Sequence, residues 1–91
     1  MSSFEIVNKI TGYVNNEDFA ILKSLHKKYK MVTGSSEEIT PSIKKEVDVF
    51  QVAPNKLLRV VYRKEIVWVK GKPYPKYTIL EPSKEVLKKY L

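Results

Sequence analysis

Ten residues decide what this chain folds into, Asn55-Lys-Leu-Leu-Arg-Val-Val-Tyr-Arg-Lys64, because they can be read with a helical or a strand period. As a helix, with Lys56 set at zero and about 100° per residue, Leu57, Leu58, Val61 and Tyr62 fall between roughly 100° and 240°. Arg59 and Arg63 then fall near 300° and 340°, so apolar and basic residues separate. As a strand, Leu57, Arg59, Val61 and Arg63 share one face and mix core with cation. The angular separation argues for a helix, and the β-branched pair Val60 and Val61 argues for a strand.

The same stretch carries the charge. Between Pro54 and Leu80 stand Lys56, Arg59, Arg63, Lys64, Lys70, Lys72 and Lys76 against the single carboxylate Glu65, in a chain whose formal charge is +7. The rest is patchy, −2 over residues 1–22, +4 over 23–34 and −2 over 35–55. Concentrated positive charge raises the local concentration of anionic partners, and nucleic acid is the expected one.

Ninety-one residues, 43% apolar and 30% charged, suit one folded domain spanning 1–91. The absence of cysteine excludes disulfides, thiolate nucleophiles and cysteine zinc sites. No apolar run approaches a membrane span, and no basic region followed by an apolar one opens the chain, so a cytoplasmic, intracellular protein without membrane contact is expected. Abundant Lys with a single glutamine, Gln51, matches a thermophile tendency.

In chain order, Ser2 and Glu5 have capping-box spacing and predict a helix over 3–11 with Phe4, Val7 and Ile10 on one side. Asn16 as N-cap, acidic Glu17 and Asp18, and a stripe of Phe19, Leu22, Leu25 and Tyr29 predict a helix over 17–30. His26, the only histidine, lies beside that stripe and reads as a packed or surface residue rather than a ligand or catalyst. Residues 31–33 read as a short extended segment. Thr40 followed by Pro41, with Ile43, Val47 and Phe50, predicts a helix over 41–49. Residues 66–70 and 77–80 read as strands joined by a basic loop, Gly71-Lys-Pro-Tyr-Pro-Lys76. Ser83 caps a final helix with Val86, Leu87, Tyr90 and Leu91 on its apolar side.

Helix, helix, helix, hairpin, helix is the order of the winged helix-turn-helix family, which residues 17–91 resemble. The run from Ile66 to Leu87 is similar to the hairpin of small archaeal or viral regulators, with Leu80-Glu-Pro-Ser-Lys84 where those have Leu-Thr-Pro-x-Gly. The resemblance implies an α+β fold with a three-helix core, a β-hairpin wing and a C-terminal helix. It implies a transcription regulator binding double-stranded DNA, with Asn55, Lys56, Arg59 and Arg63 on a recognition helix in the major groove and Lys70, Lys72 and Lys76 on the wing. Arg can bind guanine bidentately, whereas wing lysines neutralise phosphate.

Two rival readings stay open. The first is an interaction subunit of replication or transcription machinery, docking a protein partner or a second copy through its terminal helices. The second replaces the helix at residue 55 by a long strand and makes the C-terminal half an antiparallel sheet for single strands or RNA, with Tyr62, Trp68, Tyr74 and Tyr77 as stacking candidates. Gly12, Gly34 and Gly71 form no phosphate loop, and no paired carboxylates or nucleophile motif stand out, so neither an enzyme nor a cofactor is expected.

Overall fold

The computed structural model describes residues 16–91, and the helix expected over 3–11 lies outside them. Helix α1 (Asn16–Lys28) is followed by strands β1 (Lys30–Thr40), β2 (Ile43–Ala53), β3 (Lys56–Val69) and β4 (Lys72–Glu81), and a short helix α2 (Lys84–Lys88) closes the chain. The strands form one antiparallel sheet in the order β1-β2-β3-β4. This is a meander of hairpins, and it replaces the three-helix core expected from the winged-helix resemblance.

The correction begins at the ten ambiguous residues. All but Asn55 belong to the fourteen-residue strand β3. The odd positions do mix Leu57, Arg59, Val61 and Arg63, but the even positions Leu58, Val60 and Tyr62 form a continuous buried row. An α-helix laid on the sheet supplies the missing half of the core, so tertiary packing selects the strand period that the β-branched pair favours. Residues 41–49, expected as a helix, are the β1–β2 turn and most of β2, with Asp48 and Phe50 buried on the row facing α1.

Helix α1 keeps its expected place, ending two residues early, with Tyr29 N still bonded to Leu25 O at 2.9 Å. Its residues Ile21, Leu22 and Leu25 pack with Phe50, Leu58, Val60, Tyr62 and Leu87 in one cluster. Phe50, Leu25 and Leu87 have no exposed surface at all. Tyr29 donates its hydroxyl to Tyr90 O at 2.6 Å, which ties the end of α1 to the C-terminal segment. Ser83 caps α2 as expected, its Oγ accepting from Val86 N at 3.3 Å.

Strand β1 was legible only at residues 31–33. Its eleven residues are all exposed and include Gly34, Ser35 and Ser36, which have little strand preference of their own. The ladder to β2 imposes the conformation, placing Glu37 opposite Lys45 and Glu38 opposite Lys44. Gly34 lies where a Cβ would meet the Met31 side chain and sit 3.1 Å from Val47 O.

The β3–β4 hairpin agrees with expectation in kind but is longer and tighter. The turn is Lys70-Gly71, with φ of 52° and 77°, the left-handed pair that a two-residue hairpin of this twist needs. Pro73 and Pro75 therefore lie inside β4 instead of in a loop, opposite Trp68 and Ile66. They have the parity of Ile79, whose N–H points off the sheet edge to Asp18 Oδ2 at 2.7 Å. A proline on this edge gives up no ladder bond, which is why the strand tolerates two. Asp18 in turn blunts the edge and pairs with Lys84 Nζ at 2.6 Å.

Candidate nucleic-acid interface

The sheet is not of uniform depth. The β1–β2 turn ends beside the last third of β3, where Ile66 N bonds Ser42 O at 2.9 Å, so among the described residues β3 and β4 continue beyond the other two strands from about Val67 to Tyr74. A two-stranded arm results, anchored at its base by Phe19, which packs against Val67, Tyr74 and Tyr77. Trp68, the only tryptophan, stands on this arm and is 67% exposed.

The ladder also aligns two dibasic pairs. Lys44 lies directly opposite Lys64, and Lys45 directly opposite Arg63. Like charges in such positions repel, and Glu38 and Glu37, opposite Lys44 and Lys45 on β1, offset only their β2 members, leaving Lys64 and Arg63 beside a like charge. Alternation puts Lys45 and Arg63 on one face and Lys44 and Lys64 on the other. Lys44, Lys64 and Ile66 line a shared depression of about 160 Å³ with Pro41 and Ser42. Trp68, two residues beyond Ile66, continues that row, about 13 Å along the strand from Lys64 at roughly 3.3 Å per residue.

The seven basic or amide residues expected to bind DNA do not converge. Asn55 belongs to the β2–β3 turn and Lys56 opens β3 with its Nζ 5.3 Å from the centre of the Tyr90 ring. Both lie at the opposite end of β3 from the arm, about 43 Å from Val69 at strand rise. Arg59 donates to Glu81 Oε1 at 3.0 Å across the β4 edge. No recognition helix exists over residues 54–64, so Asn55, Lys56, Arg59 and Arg63 cannot present one face to a major groove. Lys70 and Lys72 do come together, at the arm tip, and Lys76 lies opposite Glu65 near its base. Sequence reasoning missed Lys44, Lys45 and Lys64. The signal was the recurrence of a dibasic dipeptide, Lys44-Lys45 and Arg63-Lys64, in two segments that a hairpin aligns.

The stacking candidates separate as well. Tyr62 is buried with its hydroxyl donated to Asp48 Oδ2 at 2.8 Å, and burial together with that carboxylate pushes its pKa up. Tyr77 is half-buried, and burial, then Glu46 and Asp48, push its phenol up too. Both stay protonated and are packed beside α1 rather than forming an open platform. Only Trp68 offers a largely exposed ring face.

His26 acquires a partner that the sequence hid twenty-two residues away. Its Nε2 lies 2.9 Å from Asp48 Oδ2, the oxygen that also accepts from Tyr62, and its ring meets Phe50 edge-on at 4.9 Å. An ionised carboxylate only accepts, so His26 donates from Nε2. Asp48 falls in the helix expected over 41–49, and only as a strand residue does it face α1. Among the described residues no three His, Asp or Glu side chains group as metal ligands do, and no helix is long and apolar enough to cross a membrane.

Searches with this chain against protein-family models, curated proteins and solved structures return no match.

Proposed function

We propose that this protein binds single-stranded nucleic acid, RNA or DNA, along the β3–β4 arm. The observation that carries the reading is Trp68, exposed on a projecting hairpin between cations at the tip, Lys70 and Lys72, and cations at the base, Lys44 and Lys64. An exposed ring stacks on an unpaired base, which a duplex keeps inside its own stack. Lysines on either side neutralise the phosphates flanking that base. Side-by-side Lys44 and Lys64 gain from an anion between them, which converts the repulsion built into the ladder into binding free energy.

The test uses the fluorescence of the sole tryptophan, titrated with a short oligonucleotide as a single strand and as a duplex at two salt concentrations. The expected result is quenching by the single strand at lower concentration than by the duplex. A log-log salt slope of about −3 follows for four phosphates at about −0.7 each. In anisotropy titrations with a labelled strand, Trp68→Ala weakens binding by roughly 5- to 100-fold, the range of one lost base stack. Duplex binding tighter than single-strand binding, or an unaffected Trp68→Ala variant, sinks the reading.

A further inference from the structure

The sheet has two edges, and they are finished differently. On β4, Pro73 and Pro75 carry no N–H, and the Ile79 N–H is taken by Asp18 Oδ2 at 2.7 Å. A further strand finds little to bond there. Strand β1 has none of these devices. Its eleven residues contain no proline and are all exposed, and among the described residues β2 is its only strand partner. Register shifts at Met31/Thr33 and Glu38/Thr40 bracket a regular stretch, residues 33–38, whose centre is the small-residue run Gly34-Ser35-Ser36.

The charge along β1 indicates what pairs with it. One end is basic, with Lys27 and Lys28 in the last turn of α1 and Lys30 opening the strand. The other end is acidic, and Glu37 and Glu38 have Lys45 and Lys44 beside them on β2 and the open edge on their outer side. A second copy laid parallel would set like ends together. An antiparallel copy, related by a two-fold axis at Ser35, sets Lys30 opposite Thr40 and diagonal to Glu38 of the other copy. The same register places Met31 opposite Ile39 of the other copy, and these side chains are 42% and 54% exposed in the single chain.

We propose that β1 is a docking edge for a second copy of this chain, paired antiparallel through residues 33–38 into one continuous sheet. The blocked β4 strands form the two outer borders of that sheet, so the assembly closes at two copies instead of growing into a filament. The paired stretch is shorter than a standard interface needs, and the dimer is accordingly weak and dependent on concentration. Strand β2 separates this edge from the arm, and the proposal stands whether or not the arm binds nucleic acid.

The test is sedimentation velocity of the intact chain, without nucleic acid, from micromolar to millimolar concentration. A monomer passing into a dimer is expected. Lys30 lies opposite the uncharged Gln51 within its own chain, and Lys30→Glu should weaken the dimer roughly three- to tenfold. Trp68→Ala should leave the dimer unchanged. The chain has no cysteine, so Ser35→Cys places a single thiol at the axis. Under mild oxidation it should cross-link roughly tenfold faster than Lys72→Cys on β4 at equal concentration. A chain that stays monomeric at millimolar concentration, a dimer indifferent to Lys30→Glu, or equal cross-linking of the two thiols would each overturn the assignment. Loss of the dimer in Trp68→Ala would do the same, by moving the contact to the arm.

Discussion

The two ends of β3 treat charge in opposite ways. At the α1 end, both buried carboxylates of the described residues are engaged, Asp48 by His26 and Tyr62, and Asp18 by Lys84 and the Ile79 N–H. A charge removed from water is tolerated only with such partners. At the other end, Lys44 faces Lys64 and Lys45 faces Arg63, next to an arm with an exposed indole. Buried, hydrogen-bonded charges are concentrated under the helix, and exposed cations beside like charges stand where the sheet thins to two strands. That division is the pattern of a packed scaffold carrying a binding arm.

The comparison breaks if the arm proves as important to folding as the body. Phe50, fully buried between α1 and the sheet, and Trp68 offer the largest contrast. Phe50→Ala should cost about 3–5 kcal/mol in urea unfolding, whereas Trp68→Ala should change stability by less than about 0.5 kcal/mol. A Trp68→Ala loss comparable to that of Phe50→Ala would show the arm to be part of the core. The buried network should give the next largest effect. Asp48→Ala strands the Tyr62 hydroxyl and removes the acceptor of His26, and about 2–3 kcal/mol should be lost. Adding Tyr62→Phe to Asp48→Ala should restore part of it, because the orphaned hydroxyl is then gone. Additive losses in that double-mutant cycle would dissolve the network into independent contacts.

Helix α1 and the Ser83 cap could be read from sequence because their signals are local: an apolar stripe with acidic residues first, and a serine before a helical run. Residues 57–63 could not, because Leu57 and Leu58 with Val61 and Tyr62 satisfy a helical stripe while Leu58, Val60 and Tyr62 satisfy a strand. Both patterns were present, and what chose between them, the apolar face of α1 thirty residues upstream, is not a local property. The same holds for β1, whose Gly34-Ser-Ser-Glu-Glu38 run becomes a strand only by pairing with β2. At the site, positive charge over 54–80 was visible, and its arrangement was not. Lys56 and Lys70 are separated by a strand's length, whereas Lys44 and Lys64 become neighbours only through register. His26 looked solitary because Asp48 reaches it from strand β2, on the sheet face under α1.

The smallest expected effect sharpens the comparison at the surface of the body. Glu17 lies 3.0 Å from Lys88 Nζ and 3.8 Å from Lys84 Nζ, joining the first turn of α1 to α2. The hydrogen bond and charge of Lys88, then the charge of Lys84, hold its pKa below the ordinary 4.5. A depressed carboxylate stabilises the folded state fully above its unfolded pKa and loses that contribution as pH falls through the folded one. Glu17→Gln should therefore lower the melting temperature slightly at neutral pH, and the difference from the parent should shrink below about pH 4.5. Added salt should shrink it too, since the pair is exposed. Lys84 offers the matching control, because its bond to Asp18 raises its pKa and that carboxylate is buried. Lys84→Met should cost more than Glu17→Gln and respond less to salt. If both respond to salt equally, Asp18 is no more shielded than Glu17, and the line between a body that encloses its charges and an arm that displays them has to be drawn closer to the core.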